Sequence, residues 1–117
     1  MTTVLIVDDH ATFRASARAL LSAEGYDVIG EAEDGENAIG EIERLRPDVV
    51  LLDVQLPGID GFEVAERVAR NGHRPEIILT SSRDPGDFGS LVAESPARGF
   101  VPKDELSGET LAALLGA

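Results

Sequence analysis

Short, unbroken apolar runs alternate along the chain with longer segments whose apolar positions recur every three to four residues. The runs are Val4-Leu5-Ile6-Val7, Val28-Ile29, Val49-Val50-Leu51-Leu52, Ile77-Ile78-Leu79 and Phe100-Val101. The first, third and fourth carry no polar interruption, as expected of strands covered on both faces. Between them Phe13, Ala17, Leu20 and Leu21 keep helical spacing, as do Ala38, Ile39, Ile42 and Leu45, and then Phe62, Ala65, Val68 and Ala69, so each segment has one stripe to bury. Gly25, Pro47 and Asn71-Gly72 mark where these helices stop. The fourth helical slot is poor, because Pro85, Gly86, Gly89 and Pro96 leave only about six unbroken residues between the last two breakers. A short or mobile helix is expected there. A final helix from about Ser107 carries Leu111, Leu114 and Leu115.

Strands alternating with crossover helices predict an α/β fold, and right-handed crossovers favour an open parallel sheet with helices on both faces. In such a sheet the functional site lies beyond the carboxyl ends of the strands. A chain of 117 residues suits one domain, residues 1–117, closed without disulfides, and it contains no cysteine. No stretch has the length of a membrane span, so the expectation is a cytoplasmic domain without membrane contact. The formal charge of −12 argues against direct binding of nucleic acid, whose phosphates are held by clustered Lys and Arg. It leaves open a basic partner surface, a divalent cation, or a merely solubilising acidic surface.

The residues at the strand ends carry chemistry. The first strand ends in Asp8-Asp9, the third at Asp53, the fourth in Thr80-Ser81, and the fifth is followed by Lys103. Carboxylates converging on one edge repel unless a cation joins them, and oxygen donors suit a hard ion such as Mg2+. Magnesium keeps waters and favours phosphate as a ligand, so the cluster reads as phosphoryl chemistry with Asp53 as nucleophile. A hydroxyl at Thr80 and an ammonium at Lys103 would hold the phosphoryl oxygens. The basic residues are nine Arg and one Lys, and a lone Lys at this edge fits a site that needs a compact point charge. Taken singly, each residue has an ordinary explanation. Asp9 or His10 could cap a helix, Asp53 could shape a loop, and Thr80 could be a plain strand residue. Their coincidence at four strand ends is what favours a site.

Four spaced motifs, Val7-Asp8-Asp9-His10, Asp53-Val54-Gln55-Leu56-Pro57-Gly58 with Asp60-Gly61, Leu79-Thr80-Ser81, and Gly99-Phe100-Val101-Pro102-Lys103, resemble the receiver domain of bacterial two-component response regulators. Asp-Asp-His and Lys-Asp resemble the subfamily that usually precedes a helix-turn-helix DNA-binding domain. The resemblance implies a flavodoxin-like (βα)5 sandwich with sheet order 2-1-3-4-5. It implies Asp53 as phosphoacceptor, served by a sensor histidine kinase or phosphotransfer protein. Asp9 resembles the direct Mg2+ ligand and Asp8 a second acid acting largely through water, with the Gln55 backbone carbonyl as third protein ligand beside Asp53. Thr80 resembles the switch hydroxyl that moves toward the phosphoryl group, Lys103 the ion-pair partner of that group, Ser81 the small residue keeping access open, and Phe100 the aromatic that swings inward to alter the face read by a downstream protein.

The sequence also departs from that pattern. Receivers usually place Gly-Ala three residues before the switch aromatic, where this chain has Pro96-Ala97, and Asp104 follows Lys103 where many have proline. These changes bear on the usual output surface more than on the acidic site. An atypical receiver signalling without phosphate is one alternative. Another is a Mg2+-dependent aspartyl phosphatase, against which Gln55 stands where such enzymes carry their acid. The early ending Leu114-Leu115-Gly116-Ala117 leans toward a free-standing module.

Overall fold

The structure is a computed structural model and describes residues 1–116. Five strands, β1 (Thr3–Val7), β2 (Asp27–Ala32), β3 (Val49–Asp53), β4 (Glu76–Ser81) and β5 (Gly99–Pro102), alternate with α1 (Ala11–Ala23), α2 (Gly35–Leu45), α3 (Gly61–Ala69), α4 (Leu91–Glu94) and α5 (Gly108–Leu115). The strands pair in parallel in the order β2-β1-β3-β4-β5, the expected doubly wound sheet. Side chains of successive strand residues point to opposite faces, which splits each apolar run between two cores. Leu5, Val7, Val50, Leu52, Ile77 and Leu79 meet Ala38 and Ile42 of α2 and Val64 and Val68 of α3. On the other face Val4, Ile6, Val49, Leu51, Ile78 and Val101 meet Ala17 and Leu21 of α1 and Leu111 of α5. Every residue of β3 is buried, and each such aliphatic side chain contributes roughly 1.5–3 kcal/mol.

The helices begin where their capping residues stand. Asp34 accepts from the amide of Asn37 and Asp60 from that of Glu63, and Ser107 forms a reciprocal capping box with Thr110. Ser90, before α4, makes no side-chain cap. A 3₁₀ turn over Pro85–Phe88, Gly89 at φ +59° and Pro96 confine α4 to one turn, as the breakers predict. Strand β5 lies at the sheet edge and ends at Pro102 opposite Ser81, where a missing N–H is tolerated. Strand β2, six residues long, extends on both sides of its two-residue apolar run, and a register shift after Val4 lets Leu5 pair with Gly30. No peptide bond is cis among the described residues, so the bond after Lys103 is trans.

Candidate functional site

Three adjacent strands end together, two of them delivering the acids and the third a hydroxyl. Asp8 follows β1, with its amide bonded to the Ala32 carbonyl at 3.0 Å, and Asp53 closes β3 in register with Thr80 of β4. Asp8, Asp53, Thr80 and Ser81 are the buried polar residues at this edge. After Asp53 the chain turns through Gly58, at φ +76°, and the amide of Gly61 returns to the Val54 carbonyl at 2.8 Å. A Cβ on Gly61 would lie 2.9 Å from the Val54 Cα, so only glycine lets α3 start this close to the site.

Lys103 arrives from beyond β5. Its Nζ lies 2.7 Å from Asp8 Oδ2 and 3.4 Å from Asp53 Oδ2. The same ammonium stands 4.7 Å from the centre of the Phe13 ring, a cation–π contact from the first turn of α1. Asp8 Oδ1 accepts the His10 amide at 2.8 Å, and His10 Nδ1 lies 3.1 Å from both Asp8 Oδ1 and Asp9 Oδ1. His10 and Asp9 are exposed, so His10 is the solvated residue at the helix start, and its side chain makes no cap. His73 is a loop residue whose Nε2 reaches the Pro47 carbonyl at 2.8 Å.

Burial and the neighbouring Asp8 carboxylate push the Asp53 carboxyl up to about 6, against the pull of Lys103 and the Gln55 amide. Burial works against the charge on Lys103, yet its close ion pairing with Asp8 and the neighbouring Asp53 carboxylate hold its pKa above the ordinary value. The chain's own lysine thus offsets part of the repulsion between the converging acids. It does not offset all of it. The contact at Asp8 Oδ2 falls outside hydrogen-bond geometry, leaving that buried oxygen without a hydrogen-bond partner. Asp8, Asp9, His10 and Asp53 can each turn one ligand atom to a common point, all within 4.8 Å of one another. A dominantly carboxylate set that includes the fully buried Asp8 fits a hard divalent ion.

The Thr80 hydroxyl is buried and also lacks a partner. A buried unpaired hydroxyl is costly unless something arrives to pair with it, and it stands beside Asp53. The Ser81 hydroxyl accepts the Arg83 amide at 3.0 Å. The exposed Gln55 donates its backbone N–H to Asp53 Oδ1 at 3.3 Å. Phe100 is half-buried and packs on Phe88, ring centres 6.2 Å apart, and Phe88 meets Phe62 edge-on at 5.7 Å.

Two residues near the site escaped the sequence argument. Phe13 reads there only as core, and Arg14 not at all. Arg14 donates from Nη1 to the Asp8 carbonyl at 2.7 Å and from Nε to Glu31 at 2.9 Å, fixing the backbone of a buried acid. Arg18 bonds the other Glu31 oxygen at 2.7 Å, and the two arginines, Arg18 first, hold the Glu31 carboxyl below its ordinary pKa. The signal was available: the helix after Asp9 starts at the site, so its first turn must face it.

Comparison with known proteins agrees with this fold. The family profile described as response regulator receiver domain matches residues 4–115. The DNA-binding transcriptional activator EvgA of Escherichia coli K12 is 33% identical over 110 residues, 94% of this chain and 54% of EvgA. BvgA of Bordetella pertussis is 35% identical over 102 residues, 87% of this chain and 49% of BvgA. The chain thus spans about half the length of the curated relatives it matches. Among solved structures, the signal receiver domain of NarL from Mycobacterium tuberculosis superposes with a TM-score of 0.86 at 34% identity, covering 99% of this chain and 98% of that one.

Proposed function

Since the chain belongs to the response regulator receiver domain family and signals through phosphorylation, we propose that Asp53 is its phosphoacceptor and that Thr80 and Lys103 read the phosphoryl group. The observation that carries this is the pairing of a buried carboxyl with an ammonium 3.4 Å away and a partnerless buried hydroxyl in the next strand. An Asp53 oxygen attacks the phosphorus of a phosphohistidine. An O–P bond forms, the N–P bond breaks, and the leaving imidazole nitrogen takes up a proton. Lys103 holds one phosphoryl oxygen and Thr80 donates its hydroxyl to another, where charge is concentrated during transfer.

Asp8, Asp9, Asp53 and the Gln55 carbonyl would hold Mg2+, which when bound neutralises charge on the phosphoryl oxygens. Water attack on the acyl phosphate releases inorganic phosphate and restores the carboxylate, so the chain catalyses only its own loading and unloading. The donor is a sensor histidine kinase or phosphotransfer protein. The readout is a downstream protein, with no nucleic-acid contact by this chain. This reading puts the domain in the cytoplasm, where nucleotide-fed kinases work. No helix among the described residues is long and apolar enough to cross a membrane.

The test is incubation with Mg2+ and acetyl phosphate followed by intact mass measurement. A gain of one phosphoryl mass that disappears in Asp53→Ala supports the assignment. An unchanged mass in the wild type, or the same gain in Asp53→Ala, refutes it.

A further inference from the structure

A cavity of about 540 Å³ opens on the far side of the Asp53 loop, between α3 and α4, apart from the carboxylate cluster. Ile59, Phe62 and Leu91 supply its apolar surface. Leu91 is 50% exposed, and among the described residues only Met1 is another exposed large apolar side chain. The cause is local: with α4 confined to one turn, the wall facing α3 is short and its leading side chain is left half in water.

The rim is acidic. Asp60, Glu63 and Glu66 are spaced by three along one wall, covering about 9 Å at 1.5 Å per helical residue. Glu94 stands on the other wall one turn beyond Leu91. Arg67 pairs with Glu63 at 3.0 Å, whereas no cation lies within ion-pair distance of Asp60, Glu66 or Glu94 among the described residues. An apolar trough rimmed by unpaired carboxylates, in a chain of net charge −12, is complementary to one kind of occupant. That occupant is an amphipathic helix with an apolar stripe flanked by Arg or Lys at helical spacing. A second copy of the chain would bring the same negative rim and be repelled.

We infer that the groove between α3 and α4 is a docking site for a basic amphipathic helix of a partner protein. The apolar stripe settles against Phe62 and Leu91, and the cations face Asp60, Glu66 and Glu94. Steering by net charge speeds encounter, and the apolar contact sets the residence time.

The probe is a fifteen-residue (~22 Å) alanine-based helical peptide carrying a leucine stripe flanked by arginines. Its control has glutamate in place of arginine. Titrated into the 15N-labelled full chain without phosphodonor, the basic peptide should shift the amides of Ile59, Phe62, Glu66, Leu91 and Glu94, and the control should shift none. Binding should weaken about ten-fold in the Glu66→Lys/Glu94→Lys double variant and also with added salt. Both substitutions are at exposed positions, so folding is retained, and Leu91→Ser removes the apolar contact alone. Equal affinity for the double variant, shifts centred on Asp8 and Asp9, or no binding at millimolar peptide overturns the inference. So does self-association of the free chain through these residues, since the occupant would then be a second copy. Because no phosphodonor is present, these outcomes stand apart from the fate of Asp53 as phosphoacceptor.

Discussion

Replacing Asp53 by Asn should make the metal-free protein more stable at neutral pH while abolishing phosphorylation. The carboxyl stands at about 6 in the folded chain against an ordinary 3.8. A difference of about two in pKa corresponds to roughly 3 kcal/mol of unfavourable free energy for the ionised native state. Between these two values the folded chain binds more protons than the unfolded one, so the penalty is relieved as pH falls and is complete above the folded pKa. Asn keeps the shape without the charge. Asp8 and Lys103 rearrange once their neighbour is neutral, so the expected gain is about 1–3 kcal/mol at pH 8, fading towards zero near pH 4. Urea unfolding of both proteins without metal, at several pH values, reads the difference directly, and titrating groups remote from the site cancel between the two. Adding Mg2+ should then stabilise the wild type more than the variant, because it binds the folded acidic site. A loss of stability in Asp53→Asn at pH 8, or a gain that does not shrink on acidification, would refute this account of the site.

Lys103→Met should slow loading from acetyl phosphate by on the order of 10²-fold, and should destabilise the chain at pH 8 by roughly 3 kcal/mol by leaving Asp8 and Asp53 without their cation. Stopped-time mass measurements and urea unfolding check the two effects. Thr80→Val removes a buried hydroxyl that has no partner, so stability should change by less than about 1 kcal/mol. In the same variant the phosphorylation-dependent NMR shifts around Phe100 should be lost. Amide hydrogen exchange across residues 84–97 should be fast, because α4 is one uncapped turn; strong continuous protection there would contradict the fold as described.

The central strands were legible because their apolar runs are unbroken, and the strand ends were legible because a parallel sheet sends them all to one edge. Three other features were not. Strand β2 extends through Gly30 and Glu31, outside the apolar run Val28-Ile29; Glu31 is tolerated there because Arg14 and Arg18 reach over from α1 to bond it. At Gly30 a Cβ would lie 2.7 Å from the Leu45 Cδ1, so a larger residue there would require that side chain to shift. The role of Lys103 as counter-ion to Asp8 depends on how far a side chain reaches back from the end of β5, which no spacing rule supplies. The groove between α3 and α4 escaped for a similar reason. Its breakers announce a short helix but not the side chains that helix leaves uncovered.

The same division runs through the mechanism. Asp53 and Thr80 sit on β3 and β4, in the middle of the sheet with both faces packed, so their positions are fixed. Lys103 lies at the end of the four-residue edge strand β5, downstream of the 3₁₀ turn at Pro85–Phe88 and one-turn α4. Local stability follows buried contact and backbone pairing, so the segment from 84 to 106 is the part of the domain easiest to shift. With Asp53 as the proposed phosphoacceptor, the phosphoryl group would meet the packed, hydroxyl-bearing strand β4 on one side and Lys103, at the less packed edge, on the other. A ligand moves an equilibrium only by its differential contacts with the two states. On the proposed assignment that difference would fall on Lys103 and, through Phe100 and Phe88, on Phe62 at the edge of the α3–α4 groove.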